Sequence, residues 1–413
     1  MVSNPIYDPY QVLYKVFGEK AHLKQAIAET YIEEQNRTRT VKICYGVLET
    51  DGYLDACIRH YASKSPKLAV RILLKIALYM LLYLDKKKYM VTDCAVDLCK
   101  KLGKSGVSGF VNAFLRRFDK VQVDESLPKG DVGEAVMLSY PLPFYKKLKQ
   151  EYGDRAKAIA AAKSAGVSVR FVSADGAEKY ADKQGIKTPF AHHYLYERFV
   201  RDDGYDEGLY TFQSVGSIAI CHCVDPCERL LDACAAPGGK TVLLSEKCGQ
   251  ITACELHAHR VQLIEQYLTR MGVRNAVALH KDSSVYDKDF AELFDGVLCD
   301  VPCSGYGTVS ENPDVKLFRS EEDMAGILKA QEEILSNCAN YVKEGGALYY
   351  STCSLFAEEN DGQVEKFLKG HAGFQVEPLD CPLVHNKKKF GLQFLPDAAY
   401  GAGFYVCKMR RVK

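Results

Sequence analysis

At 413 residues, with 47% hydrophobic and 26% charged side chains, the chain reads as soluble and globular, with room for two or three domains that each bury a core. Its longest apolar run, residues 76–84, lies between Lys75 and Asp85 and is far too short to span a bilayer, and residues 1–8 lack the basic and apolar regions of an export signal. Sixteen cysteines without such a signal are expected to be reduced thiols in a cytoplasmic protein. The net charge of +1 hides an asymmetry: residues 1–120 carry 20 basic against 12 acidic side chains, and the remainder 34 against 41. On charge alone, a basic front module fits a polyanion partner and a solvated helical surface equally well.

Residues 1–120 read as all helix. Apolar positions recur at helical spacing over 10–17, 21–34 and 41–53, and 71–84 is apolar nearly all round, as a buried central helix should be. Thr92 is placed to cap a helix over 93–102 that stops at Gly103. A last helix over 108–118 carries Arg116 and Arg117 near its end, where they suit the helix dipole. Through Lys42-Ile-Cys-Tyr-Gly-Val-Leu, Leu78-Tyr-Met-Leu-Leu-Tyr-Leu and Gly109-Phe-Val-Asn-Ala-Phe-Leu-Arg-Arg, the block resembles the NusB-like fold. That resemblance implies contact with RNA.

Residues 121–150, punctuated by Asp124, Pro128, Gly130, Pro141 and Pro143, read as a linker. Helices over 143–152 and 154–163, a strand over 167–172, a helix over 177–184 and strands within 189–200 and 208–213 make a small α+β insert. From Gly216 strand and helix alternate. Strands are expected at 229–234, 250–254, 276–280, 294–299 and 347–351, with helices at 240–247, 257–271 and 321–342, which means a parallel, doubly wound sheet. Segments 390–395 and 403–409 read as a closing antiparallel pair. The expected boundaries are 1–120, 121–215 and 216–413.

In Arg229-Leu-Leu-Asp-Ala-Cys-Ala-Ala-Pro-Gly-Gly-Lys-Thr a strand runs through a tight turn into a helix, the crossover at which α/β proteins bind nucleotide-like ligands. Gly239-Lys240-Thr241 matches the end of a phosphate loop, but Cys234 stands where its first glycine belongs, so an adenosine-type ligand is favoured over a triphosphate. Cys221, His222, Cys223 and Cys227 lack the paired spacing of a zinc site, and small buried cysteines on a helix entering the sheet explain them better; no metal is expected.

Ligands in such sheets sit beyond the C-terminal strand ends. The second strand ends at Glu255, placed like an acid that takes ribose hydroxyls, and the third at Asp282, which could accept from an adenine amino group. The fourth runs into Asp300-Val-Pro302-Cys303-Ser-Gly and the fifth into Ser351-Thr-Cys353-Ser. Two cysteines at neighbouring strand ends beside an acid suit activated thiols.

With Glu358-Glu359-Asn360, these motifs resemble those of the Sun-type RNA cytosine-5 methyltransferases. The resemblance implies an α/β Rossmann-like S-adenosylmethionine methyltransferase sheet, preceded by an all-α NusB-like bundle and the small α+β insert. By position it makes Cys353 the nucleophile that adds to C6 of cytosine, Asp300 the group that hydrogen-bonds the ring at N3, and Cys303 the group that assists loss of the C5 proton and enzyme release. The S-adenosylmethionine site is implied at Cys234, Ala235, Ala236, Pro237, Gly238, Gly239, Lys240, Glu255, Asp282 and Asp300, with Pro302 and Lys316 near the substrate. Glu255 stands where aspartate is more usual, and Gln213-Ser214 replaces a Gln-Asp or Gln-Glu. The implied partner is RNA, with 16S ribosomal RNA as substrate, and the protein is expected to act as a monomer. The same chemistry on tRNA or 23S ribosomal RNA, and a non-catalytic RNA-binding assembly factor, are the alternatives.

Overall fold

The computed structural model describes residues 4–180 and 183–413. It falls into two compact units. One holds the chain up to Ala160 together with Asn312–Phe318, and the other holds Ala161–Glu311 and Arg319–Lys413.

The first unit is helical throughout. Its centre is the helix Leu68–Tyr83, whose Ile72, Leu73, Leu74, Ile76, Ala77 and Leu78 are fully buried, as a helix apolar on every side requires. Around it pack Tyr7–Glu19, Glu34–Glu49, Asp51–Tyr61, Lys88–Lys101 and Ser108–Arg117. Two expected helices break differently. The expected 21–34 helix ends at Glu29, beside Thr30, whose hydroxyl donates to the Ala26 carbonyl at 2.7 Å. The expected 41–53 helix ends at Glu49, beside Thr50, whose hydroxyl donates to the Gly46 carbonyl at 2.6 Å. A hydroxyl turned back on the preceding turn competes with helix continuation in both places. The cap expected at Thr92 is also corrected: the helix begins at Lys88, and the Thr92 hydroxyl donates to the Lys88 carbonyl at 2.8 Å.

The stretch expected as a linker folds onto this bundle. Helices Lys120–Ser126, Asp131–Met137 and Leu142–Tyr152 follow one another, and Ser139 accepts the Tyr53 backbone N–H at 3.0 Å. The compact unit therefore runs past 120 to Ala160. Leu317 and Phe318 pack against the same core.

Inside the bundle Lys75 is almost fully buried between the carboxylates of Asp51 and Asp55. Burial pushes the Asp51 carboxyl upward and Lys75 opposes that shift. Lys75→Met is therefore expected to destabilise the bundle by about 3 kcal/mol at neutral pH, because it strands a buried charge. An acid whose folded pKa lies above its unfolded value costs least stability when protonated. The deficit should thus shrink on acidification, and urea unfolding at two pH values checks both parts.

The second unit opens with a small antiparallel sheet of β1 (Val167–Phe171), β2 (Gly185–Lys187), β3 (His193–Tyr196) and β4 (Tyr210–Phe212), in the order β2-β3-β1-β4. The helix expected over 177–184 is found as Ala174–Glu178; residues 181 and 182 lie outside the described residues. Ser214 then caps the helix Val215–Cys223, accepting the Ser217 N–H at 3.3 Å.

The main sheet comprises β5 (Arg229–Asp232), β6 (Gln250–Glu255), β7 (Ala276–His280), β8 (Phe294–Asp300), β9 (Val342–Thr352), β10 (Phe374–Glu377), β11 (Asn386–Lys387), β12 (Leu392–Phe394) and β13 (Phe404–Arg411). The order is β11-β12-β13-β9-β8-β5-β6-β7, with β10 also on β13. Strands β5 to β9 run parallel, as their alternation with helices requires, and β12 and β13 close the sheet antiparallel. Leu230 and Leu298 join one core and Leu231 and Val297 the other, so successive residues feed opposite faces. Because β6 and β8 flank β5 on opposite sides, the order reverses there, and in such sheets ligands bind beyond the carboxyl ends of the strands at that point.

Candidate active site

The loop after β5 is shaped by Gly238, which caps the helix Gly239–Leu244 with φ +102°, a left-handed conformation that side chains rarely adopt. A Cβ there would meet the Ile264 backbone at 3.4 Å, so the loop lies close against the helix Ala258–Arg270. The Ala235 N–H donates to the Cys254 carbonyl at 2.9 Å, which ties the loop to β6. Lys240 and Thr241 turn back to strand ends instead of forming a phosphate cradle. Thr241 donates to the buried Asp232 carboxylate at 2.7 Å, and Lys240 donates to Asp300 at 2.6 Å.

These contacts set the charges. Burial pushes the Asp232 carboxyl up to about 6, against the pull of the Thr241 hydroxyl, and its Oδ1 is buried without a partner. Burial opposes the charge on Lys240, but the adjoining Asp300 outweighs it and holds the ammonium above its ordinary range. Asp300 also accepts the Ser351 hydroxyl at 2.7 Å, so both its oxygens are fixed. Cys234 is held protonated, its thiol pushed well up by burial.

Strands β8 and β9 pair in register, Asp300 opposite Ser351, and this carries the two following loops to the same place. Cys303 and Cys353 meet there with their sulfurs 2.9 Å apart, and the Cys353 backbone N–H donates to the Cys303 sulfur at 3.2 Å. Cys353 is half-buried and Cys303 buried. The contact with Cys353, burial and the charge of Glu359 keep the Cys303 thiol well above the usual thiol range. Two thiols in contact, one fixed in its protonated form, can act as a nucleophile and a proton-handling partner.

The expected residues divide as follows. Asp300 pairs with Lys240 from the Cys234–Gly239 loop's helix, and Cys303 with Cys353, on the loops that follow the neighbouring strands β8 and β9. Glu255 ends β6 buried, accepting the His257 N–H at 2.9 Å and pairing with Arg260 at 3.3 Å. Asp282 is exposed and accepts from the Ser284 N–H and hydroxyl at 2.9 and 2.6 Å. Pro302 is exposed, and its carbonyl accepts from Gln331 at 3.0 Å. Lys316 is placed in the helical unit, buried, with its ammonium donating to the Glu49 carbonyl at 2.8 Å. The cysteines of the 221–227 run make separate contacts, Cys227 with Cys248 at 3.8 Å and Cys221 with the Lys240 carbonyl at 3.8 Å.

Sequence reasoning missed Arg260, which donates to the Ala236 carbonyl at 3.2 Å and so joins the loop to Glu255. Gln213, noted in the sequence only as part of Gln213-Ser214, donates to the Gly239 carbonyl at 3.0 Å while accepting from Arg170. Among the described residues no cluster of three metal-ligating side chains occurs, and no helix is long and apolar enough to cross a membrane.

Residues 222–410 match the family model for the 16S rRNA methyltransferase RsmB/F, and residues 10–120 match the NusB family. The chain is 30% identical, over 422 residues and 94% of each chain, to the probable ribosomal RNA small subunit methyltransferase B of Bacillus subtilis. It is 29% identical to the ribosomal RNA small subunit methyltransferase B of Pasteurella multocida, over 97% of this chain and 95% of that one. In structure it is similar to the crystal structure of PH0851, with a TM-score of 0.83 over 99% of both chains and 22% identity, a likeness of fold.

Proposed function

Because the chain belongs to the 16S rRNA methyltransferase RsmB/F family, we propose that it methylates C5 of a cytosine in 16S ribosomal RNA with S-adenosylmethionine as donor. The observation that carries the reading is the contact between Cys303 and Cys353 beside an Asp300 fixed by Lys240 and Ser351.

The residues present fit the donor. Gly238 lets the loop turn tightly against the helix Ala258–Arg270, and the Asp232 Oδ1 is a buried acceptor without a hydrogen-bond partner. The donor would be held by Cys234–Lys240, with Glu255 for the ribose hydroxyls and Asp282 for the adenine amino group. Glu255 arrives oriented by Arg260 and the His257 N–H. S-adenosylmethionine, when bound, supplies an electrophilic methyl group.

The protein's own groups prepare the base. The Cys353 sulfur forms a bond to C6, and the displaced electron pair makes C5 nucleophilic. As the bond to C6 forms, N3 takes up a proton from solvent, and the Asp300 carboxylate accepts a hydrogen bond from the resulting N3–H, which stabilises the adduct. When the C5 proton leaves, the C6–sulfur bond breaks and the Cys353 thiolate is released; Cys303, in contact with that sulfur, assists proton loss and departure. A paired cytosine must first leave its stack, at a cost of a few kcal/mol, so an unpaired base is the easier substrate.

The test is bisulfite mapping of ribosomal RNA from cells with and without the gene. One 16S cytosine should lose its protection in the deletion and regain it on complementation. Unchanged 16S methylation, with a site lost in tRNA or 23S ribosomal RNA instead, overturns the substrate and leaves the chemistry.

A further inference from the structure

Glu359 has no part in the scheme above, yet it lies between the loops that carry both thiols. We infer that Glu359 is a positioning residue, a buried carboxylate that fixes the two cysteines relative to each other through the residue that follows each of them. Its side chain is completely buried at the start of the helix Asp361–Gly370. One oxygen accepts the backbone N–H of Ser304, the neighbour of Cys303, at 2.7 Å, and the Gln331 amide at 3.1 Å. The other accepts the hydroxyl of Ser354, the neighbour of Cys353. The two serine hydroxyls themselves lie 3.2 Å apart. One carboxylate thus clamps the loop after β8 to the loop after β9.

Among the described residues no cation lies within ion-pair distance of this carboxylate, so three hydrogen-bond donors alone balance a charge taken out of water. An amide in its place would still accept from the Ser304 N–H, which separates the effect of the charge from that of the shape. The groups facing Cys303 are Cys353 and Glu359, with the Tyr350 phenol behind them and Arg319 donating to the Ser304 carbonyl at 3.3 Å. Negative charge beside Cys303 favours its protonated form. Of the two touching sulfurs, Cys353 is the more exposed. The clamp therefore sets where the thiols sit and places a negative charge beside Cys303.

This inference rests on the methyl-transfer reading for the roles of the cysteines, but its readout needs neither RNA nor methyl donor. The full-length protein is pulsed with iodoacetamide at a series of pH values, and the modification of each cysteine is followed by mass spectrometry. Wild-type protein should lose Cys353 ahead of Cys303. Glu359→Gln should lower the pH midpoint of Cys303 alkylation by about one unit, which is roughly tenfold in rate at neutral pH. Glu359→Asp, which keeps the charge, should hold the midpoint near wild type. A folded Glu359→Gln protein with an unchanged Cys303 midpoint overturns the inference. If that variant does not fold, Ser354→Ala decides. It frees the Cys353 side of the clamp, so the ratio of Cys353 to Cys303 alkylation should fall, and an unchanged ratio is equally fatal. A failed RNA methylation assay leaves these results intact, so the two readings fail separately.

Discussion

Cys353→Ala protein should transfer no methyl group to RNA while binding S-adenosylmethionine as the wild type does, and Cys303→Ala should accumulate a covalent protein–RNA adduct. The two sulfurs touch, so position alone does not divide the proposed roles, and the expectation rests on their surroundings. Cys303 touches the Cys353 thiol, is buried and sits beside the Glu359 charge, a setting that holds its proton against the pull of the Cys353 N–H it accepts. Cys353 is half-buried, on the accessible side of the pair. On the proposed chemistry, Cys353→Ala deletes the first bond-forming step, and a loss of at least about 10³-fold in single-turnover rate is expected. Removing the neighbouring thiol leaves attack possible but slows the steps that expel the enzyme, so the adduct builds up. Denaturing gels of each variant with radiolabelled RNA separate the cases. An adduct with Cys353→Ala and none with Cys303→Ala reverses the assignment. Neither substitution touches the Gly238 loop, so donor affinity measured by calorimetry should hold in both.

Much of this site can be read in the sequence because it depends on strand ends. Alternating strand and helix patterns put Asp232, Glu255, Asp300 and Thr352 at the carboxyl ends of parallel strands, and the pairing of β8 with β9 follows from the same rule. What stays hidden is the layer that supports those ends. Glu359 reaches Ser304 across 55 residues and Gln331 across 28, and Arg260 reaches back 24 residues to Ala236. Contacts of that kind leave no local periodicity. The Gly-Gly-Lys-Thr run shows the same limit, since its lysine and threonine are identifiable at once but their targets, Asp300 and Asp232, come only from the turn geometry. Residues 312–318 are a sharper case. They follow the Cys303 loop in sequence, yet Asp314 bonds His22 at 2.8 Å and Leu317 and Phe318 join the helical core, because tertiary burial overrides chain order. Short strands fare worst. The two-residue β11 and four-residue β10 have too few positions to show alternation, and only their pairing with β12 and β13 defines them.

Gly307→Ala should cost nearly all methyl transfer without touching a reacting atom. Gly307 sits in the short turn Tyr306–Thr308, its N–H donating to the Cys353 carbonyl at 2.9 Å and its carbonyl accepting the Gly403 N–H at 2.8 Å. A Cβ added there would lie 1.9 Å from the Gly403 carbonyl oxygen and 2.8 Å from the Cys353 carbonyl oxygen. Both obstacles are backbone, so no side-chain rotation relieves the overlap. The turn must move away from β13, from the Cys353 loop, or from both. Overpacking of this kind costs about 1–3 kcal/mol, which a domain of this size survives. Catalysis is less tolerant: a displacement of about 1 Å in a reacting group is enough to cost roughly 100-fold in rate. The protein should therefore fold with a lowered melting temperature, bind S-adenosylmethionine with near-wild-type affinity, and form adduct at least about 100-fold more slowly. Gly326→Ala is the control. That glycine lies exposed on the helix Glu321–Ala339 with nothing near its added Cβ, so alanine there should leave activity unchanged and, by helix propensity, raise stability by about 0.5–1 kcal/mol. Wild-type adduct formation by Gly307→Ala would mean that the turn has slack on the Gly403 side, and that Cys353 is positioned by its strand and the Glu359 contacts without it.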